Sequence, residues 1–542
     1  MMVTDTDKMS NADLQAMAKA LNLPYIEEVP DHSFNPKLTA KLPVAWARAQ
    51  CVLPVVIDGQ PSLLTADPAD LEAQQRASLM TGETLRPVIA PQEVVASAIE
   101  QCYAATSGNA DAGRFIQDLS DQSHDEAPDS PLDRKEAEPI AITPSVSDLL
   151  DDSEAAPVTK LVNLILLEAV KQRASDIHFE PFSDRLAVRY RIDGVLYNRA
   201  EPPKRMEAAL VSRLKVMAGM DISEKRLPQD GMARARLGNR EVDIRVSTVP
   251  VADGERVVLR LLNRDDTCRP MTSLGMDDAM LESFRPLLRM PNGIIIVSGP
   301  TGSGKTTTLY SALGAIDAKH RNILTIEDPI EYRLPGIGQI QVKPKIGLTF
   351  ASGLRHILRQ DPDVVLVGET RDSETAEIAV RAALTGHLVF TTLHTNDAPS
   401  AIMRLVDMGI EPYLLASCLR GVLGQRLVRT LCPHCRAETT LAEASEGLEL
   451  PAEWREKLQG ATLHKAVGCE KCLEGYTGRV GLFELMVCTP ALTAAIRHGC
   501  VGEDDFREAA IDAGMRTMAD DALAKISKGV TDLAEVATVL AL

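Results

Sequence analysis

The chain holds 542 residues, 45% of them apolar and 25% charged, with a formal net charge of −18. That length predicts three or four domains of ordinary globular composition, and the acidity argues against broad electrostatic attachment to nucleic acid or anionic lipid. No apolar run approaches the ~18–20 residues of a membrane-spanning helix, and the N-terminus, with Asp5, Asp7 and Lys8, lacks a signal peptide's apolar stretch. The protein is therefore expected in the cytoplasm, where its ten cysteines do not read as a disulfide framework.

Residues 1–105 read as a compact α+β module. Asn11 to Leu21 has helical periodicity with Asn11 as its cap, and Leu42 to Ala49 gives a second short helix. Cys51 to Ile57, the Asp58-Gly59 turn and Ser62 to Thr65 predict a hairpin. Ala66 to Leu71 opens another helix and Pro91 to Ala104 forms the last. Trp46 is read as core. No cluster of catalytic residue types falls here, so by elimination the module is an adaptor.

Residues 106–156 change in composition. Between 107 and 156 there are thirteen acidic and three basic residues, with Pro128, Pro131, Pro139 and Pro144 and little apolar periodicity. That pattern predicts a disordered, self-repelling tether.

Order is expected again over 157–270. A helix spans Val158 to Gln172, strands cover Arg185 to Arg191 and Val195 to Tyr197 around Asp193-Gly194, and a helix follows from Met206 to Met217. Two more strands are expected at Glu241 to Ser247 and Arg256 to Leu262. Arg189, Arg191, Arg245 and Arg260 alternate with apolar residues on these strands. Spacing alone supports a solvated strand face and a row of cations for phosphate equally.

A nucleotide-binding core is expected over 271–430. Gly299, Pro300, Thr301, Gly302, Ser303, Gly304, Lys305 and Thr306 make the P-loop signature, between the apolar run Ile294 to Val297 and a helix opening at Thr307. The glycines let backbone N–H groups face a phosphate, and the helix N-terminus adds its dipole. Lys305 reaches the β/γ oxygens and Thr306 can ligate Mg²⁺. Three further strand ends follow: Ile323 to Glu327 with Asp328, Val364 to Glu369, and Leu388 to His394 preceded by His387. In open α/β sheets the carboxyl ends of strands line the crevice, so all these groups are expected beside the P-loop. Glu369 can orient or deprotonate water, Glu327 and Asp328 can hold Mg²⁺ or its waters, and His387 or His394 can sense the γ-phosphate.

Residues 431–478 carry Cys432-Pro-His-Cys435 and Cys469-Glu-Lys-Cys472. Two such knuckles suit a structural, tetrahedral Zn²⁺ thiolate site, with His434 not a ligand. The remaining six cysteines are isolated, and 479–542 reads as a helical packing subdomain.

These residues together resemble one family, the secretion and pilus traffic ATPases, and most closely its GspE-type secretion branch. The carriers are Ala174-Ser-Asp-Ile-His178, Lys225 to Gly231, Gly254 to Val258, the P-loop, Ile326 to Glu331, the stretch through Glu369, Gly386 to His394 and the four cysteines. The resemblance is dense from Ala156 onward and weaker over the first 105 residues. It implies a RecA-like ATPase core preceded by a PAS-like α+β domain, and a homo-hexamer that binds ATP with Mg²⁺ between two domains of one chain. By the same resemblance Lys305 and Thr306 bind phosphate and Mg²⁺, Glu369 is the catalytic carboxylate and Arg245 and Arg260 reach the nucleotide. Arg355 and Arg359 match a basic pair needed for assembly or activity.

The implied task is to power pseudopilus assembly and export in type II secretion. The N-terminal module would dock on the cytoplasmic domain of a GspL-like inner-membrane component, which makes the protein peripheral to that membrane. A type IV pilus assembly ATPase is the alternative. Less favoured are a DNA-translocating motor, since no nucleic-acid partner is expected, and a scaffold that binds ATP without turnover. Met232 stands where the family often has Arg, and Gly368 replaces the usual Walker B Asp as it does across the family. The N-terminal module lacks the Arg-Leu-Gly repeat by which some relatives bind a cyclic dinucleotide, so no such ligand is expected.

Overall fold

A computed structural model describes residues 11–107, 146–148, 157–263 and 269–541, apart from residues 22, 28, 31–32, 40, 58, 238–239 and 499–501. These fall into two units that divide after Asp265.

The first unit begins with a three-stranded sheet of β1 (Val52–Ile57), β2 (Gln60–Thr65) and β3 (Arg86–Ile89), in that order. β1 and β2 form the expected hairpin, and β3 adds in parallel to β2 after the helix Leu71–Thr81. β3 is not legible as a strand: four residues including Pro87 are too short to show a period of two. The helix Gln92–Ser107 lays Val95, Ala98 and Ile99 on Leu53, Val55, Leu64 and Val88. Trp46 packs on Leu42, Val52 and Leu63, as a core residue should.

The unit's second sheet has seven strands: β4 (Val146–Asp148), β5 (Asp176–Pro181), β6 (Leu186–Ile192), β7 (Val195–Ala200), β8 (Gln229–Leu237), β9 (Arg240–Val251) and β10 (Gly254–Asn263). Their order is β4-β8-β9-β10-β5-β6-β7, antiparallel except for β4 against β8. The helix Pro157–Lys171 is buried along most of its length. It is tied to the sheet where the Tyr190 hydroxyl donates to the Ile165 carbonyl at 2.9 Å. β4 corrects the expectation of a wholly structureless tether, because Val146–Asp148 pairs with Arg234–Arg236. Backbone pairing to a neighbouring edge is available even to a segment without apolar periodicity. Residues 108–145 and 149–156 of that stretch lie outside the described residues.

The second unit is built on a sheet of β11 (Gly293–Ser298), β12 (Ile323–Glu327), β13 (Gly338–Gln341), β14 (Val364–Val367), β15 (Leu388–Leu393), β16 (Leu419–Leu431) and β19 (Tyr476–Val487). The order is β13-β12-β14-β15-β11-β16-β19, parallel throughout except for the last pair. β11, β14 and β15 are buried at every position because helices cover both faces, which is why they read as unbroken apolar runs. β17 (Ala437–Thr439) and β18 (Leu463–Lys465) form a small ribbon within the segment that joins β16 to β19. Helices Met518–Ser527 and Leu533–Leu540 pack on that segment through Leu458, Leu463, Ile526 and Val536. Among the described residues, no helix is long and apolar enough to cross a membrane.

Candidate nucleotide and metal sites

β11 delivers the chain to the P-loop at its carboxyl end, and the helix Lys305–Gly314 leaves it. Two glycines are required by contact as well as by conformation. A Cβ on Gly299 (φ 153°) would lie 2.3 Å from the Gln425 carbonyl oxygen, and one on Gly304 (φ 85°) would lie 2.9 Å from Gln425 Nε2. Pro300, Thr301, Gly302 and Thr306 are exposed, Thr307 is half-buried and Ser303 is buried. Lys305 is buried, and its Nζ donates to the carbonyls of Gly299 (2.6 Å) and Pro300 (3.0 Å). Burial lowers its pKa, and the charge of Glu369 partly opposes that. The cation is thus folded back on the loop's own carbonyls, where anionic oxygens would compete for it.

Glu369 follows β14 and is clamped on both oxygens, by His394 Nε2 at 2.7 Å and Arg371 Nη2 at 2.6 Å. Burial would raise its pKa, but the hydrogen bond and charge of Arg371, joined by His394, hold it below the usual carboxylate range. It is an ionised acceptor at neutral pH. Asp328 is exposed and acts electrostatically on Arg371, so it belongs to the same neighbourhood.

Two expected site residues differ from expectation, His387 in its place and Glu327 in its partners. His387 precedes β15 and its carbonyl accepts from Gly293 N, at the start of β11. β11 and β15 are parallel in the register Gly293↔Leu388 to Ser298↔Leu393, so His387 lies at the end of the sheet opposite the P-loop. Six residues of strand separate the two ends by about 20 Å. The ring nitrogen Nδ1 faces the Ala382 carbonyl at 2.9 Å. His394, at the carboxyl end, is the histidine that joins the crevice. Glu327 is 4% exposed, and its carboxylate accepts from the hydroxyls of Tyr310 and Thr325 and from Gln339 Nε2 (3.2 Å). Its partners are protein groups packed beneath the loop helix, which suits a supporting carboxylate better than a ligand for Mg²⁺ or its waters.

In the first unit, the choice between a solvated face and a row of cations resolves into a partly buried ion-pair lattice. Asp176, His178 and Glu180 occupy alternate positions of β5 and are buried. Arg260 Nε pairs with Asp176 at 2.9 Å and Arg191 Nε at 3.8 Å, while Arg189 and Arg256 each reach Glu180 at 2.6 Å. Arg245 stands directly across from Arg260 in the ladder and is exposed, as is most of the Arg260 side chain (61%). Arg355 pairs with Glu374 at 2.5 Å, and Arg359 with His356 at 2.7 Å.

The four knuckle cysteines converge, with all Sγ atoms within 4.8 Å of one another. Cys432–Cys469, Cys435–Cys472 and Cys469–Cys472 stand 3.9, 3.6 and 3.6 Å apart. A tetrahedron with metal–sulfur bonds of about 2.3 Å has edges of about 3.8 Å, so the cluster has the size of a Zn²⁺ thiolate site. Among the described residues the cluster consists of these cysteines alone, without His434.

Three contributors escaped the sequence reading: Arg371, Tyr310 and Gln425. Gln425 carried a usable signal, since it is a polar residue within the apolar run Val422-Leu-Gly-Gln-Arg-Leu-Val428.

A family model described as Type II/IV secretion system protein matches residues 151–538, and one described as MshEN domain matches residues 21–109. The chain is 52% identical over 394 residues to the Type II secretion system ATPase E of Vibrio cholerae, covering 72% of this chain and 77% of that one. It is 41% identical over 526 residues to the Type IV pilus assembly ATPase PilB of Myxococcus xanthus, covering 96% and 89%. The fold is shared with the ATPase DotB of Legionella pneumophila, at a TM-score of 0.53, 21% identity and coverage of 73% and 99%.

Proposed function

The chain belongs to the Type II/IV secretion system protein family, and from that premise we propose that it powers pseudopilus assembly and protein export in a type II secretion system as a homo-hexamer. It is a P-loop ATPase, converting ATP and water to ADP and phosphate. The observation that carries the site assignment is Glu369, ionised and clamped by His394 and Arg371, with its charge felt by Lys305.

On this reading the turned backbone from Gly299 to Gly304 and the first turn of the following helix cradle the β/γ-phosphates. Lys305 leaves the carbonyls of Gly299 and Pro300 for phosphate oxygens. Glu369 orients the attacking water and receives its proton, while His394 holds the carboxylate in place and reports the γ-phosphate. Mg²⁺, when bound, neutralises the charge that develops on the phosphates. The exposed hydroxyl of Thr306 and carboxylate of Asp328 are hard oxygen donors suited to hold it. Glu327 positions the loop helix. Arg245 and Arg260, cross-strand neighbours with exposed side chains, supply further cations to a nucleotide's phosphates.

Zn²⁺ is assigned to Cys432, Cys435, Cys469 and Cys472, a set of four thiolates with no position left for catalysis. We place the protein in the cytoplasm, held at the inner membrane through its N-terminal module by the cytoplasmic domain of a GspL-like component.

The decisive biochemical test is Glu369→Gln. Nucleotide binding should persist while turnover falls by about 10²–10⁴-fold, the range for losing a positioned base; unchanged turnover per subunit removes Glu369 from its role. A second reading, pilus assembly, draws on the likeness to PilB over nearly the whole chain. Disrupting the gene should abolish export of secreted proteins and leave surface pili intact. Loss of pili with normal export would favour the second reading.

A further inference from the structure

A phosphate-binding loop works only if its peptide N–H groups point outward, and something must hold them that way before the phosphate arrives. In this chain the holding group comes from outside the loop. Gln425 sits on β16, is 2% exposed, and spans two points of the P-loop segment. Its Oε1 accepts from the Thr308 hydroxyl at 2.7 Å, and its Nε2 donates to the Ser303 carbonyl at 2.7 Å. The carboxamide lies so close under Gly304 that a Cβ there would collide with Nε2 at 2.9 Å. A carboxamide offers an acceptor and donors on one short, planar group, a combination no carboxylate or hydroxyl reproduces in both places at neutral pH.

The consequence follows from peptide geometry. In a trans peptide the C=O and the following N–H point in opposite directions. Drawing the Ser303 carbonyl inward to Gln425 turns the Gly304 N–H outward, toward the space a phosphate takes. Accepting from Thr308 fixes the first turn of the helix relative to the same group. We propose that Gln425 is a positioning residue for triphosphate binding, presetting the Ser303–Gly304 peptide through a side chain that itself touches no nucleotide. This inference rests on the assignment of the P-loop as the ATP site.

The test is Gln425→Glu in the full chain, with MgATP affinity measured by competition against a fluorescent ADP at pH 8 and pH 6. An ionised glutamate accepts from Thr308 but opposes the Ser303 carbonyl; a protonated one restores the donor, and burial raises the pH at which it protonates. At pH 8 the affinity should fall about tenfold, roughly the loss of one buried hydrogen bond. At pH 6 it should recover toward wild type, while wild type shows no comparable gain. The loss should appear in Kd and KM ahead of kcat. Affinity within twofold of wild type at both pH values overturns the proposal, as does a loss confined to kcat.

Should Gln425→Glu not fold, Thr308→Val removes the other contact without adding charge. It should weaken MgATP binding, and unaltered binding overturns the proposal. Failure of the wild-type chain to bind MgATP would instead overturn the P-loop assignment, which keeps the two readings separate.

Discussion

Replacing Tyr310 by Phe separates the two roles open to Glu327. Tyr310 is fully buried on the helix that follows the P-loop, its ring set edge-on to Tyr332 with centroids 4.6 Å apart. Its hydroxyl donates to Glu327, and accepts at the longer distance of 3.4 Å from Glu331 N and Gln339 Nε2. Phe keeps the ring and its packing and removes that one oxygen. The carboxylate then stays buried with Thr325 and Gln339 as its remaining donors. A hydrogen bond to a charged group contributes about 1.5–3 kcal/mol, and the two long contacts add little. A loss of about 2 kcal/mol is therefore expected, which in a unit of this size lowers the unfolding temperature by about 4–8 °C. Calorimetry of the full chain checks it, following the transition that ADP shifts upward. A shift of less than about 1 °C, accompanied by a changed Mg²⁺ dependence of turnover, would refute the supporting role and return Glu327 to the metal.

Two other outcomes are expected. Cys432→Ser combined with Cys435→Ser should reduce zinc, measured by metal analysis, from stoichiometric to background and expose the segment between β16 and β19 to protease; no zinc in the native protein would sink the assignment. Asp397 is pushed up by burial, but Ser400 and the Arg507 guanidinium outweigh this and hold its pKa below the usual range. Its folded pKa is thus depressed, so its stabilisation is present above about pH 4 and fades as pH falls through the folded value. Asp397→Asn should accordingly melt lower than wild type at pH 7, with the gap closing toward pH 3. A gap independent of pH would contradict that account.

What the sequence revealed was what neighbouring residues determine. The P-loop, the buried run Ile294 to Val297 and the hairpin are local patterns. The run falls within β11, the P-loop leads from β11 into the helix Lys305–Gly314, and the two expected hairpin strands correspond to β1 and β2, close to their expected bounds. His387 was misplaced because both ends of a short strand look alike in one dimension; only the parallel pairing of β15 with β11 decides which end meets the loop. Glu327 looked free because its partners are remote, Tyr310 preceding it by seventeen residues and Gln339 following by twelve. Gln425 lies 117 residues beyond Thr308. The arginines of the first unit were ambiguous for the same reason. Their carboxylates, Asp176 and Glu180, come from a different strand, and only the order β10-β5-β6 brings them between two rows of guanidinium groups.

β16 belongs to two sites at once. Midway along it Gly424 pairs with Ser298, the residue before the P-loop; seven more residues of strand then run to Leu431, next to the first knuckle cysteine. Gln425 and Cys432 are thus about 23 Å apart along one extended segment. β19 pairs with it in antiparallel fashion along most of this length, with an irregularity between Arg429 and Leu431. A hydrogen-bonded pair of strands resists bending far more than a loop does, so the cysteine cluster acts as the far fastening of a beam whose near end grips the phosphate loop. A displacement at the cluster would therefore be carried along β16 and β19 toward the residue that holds the phosphate loop. An irregularity beside the fastening is where such a beam would first yield.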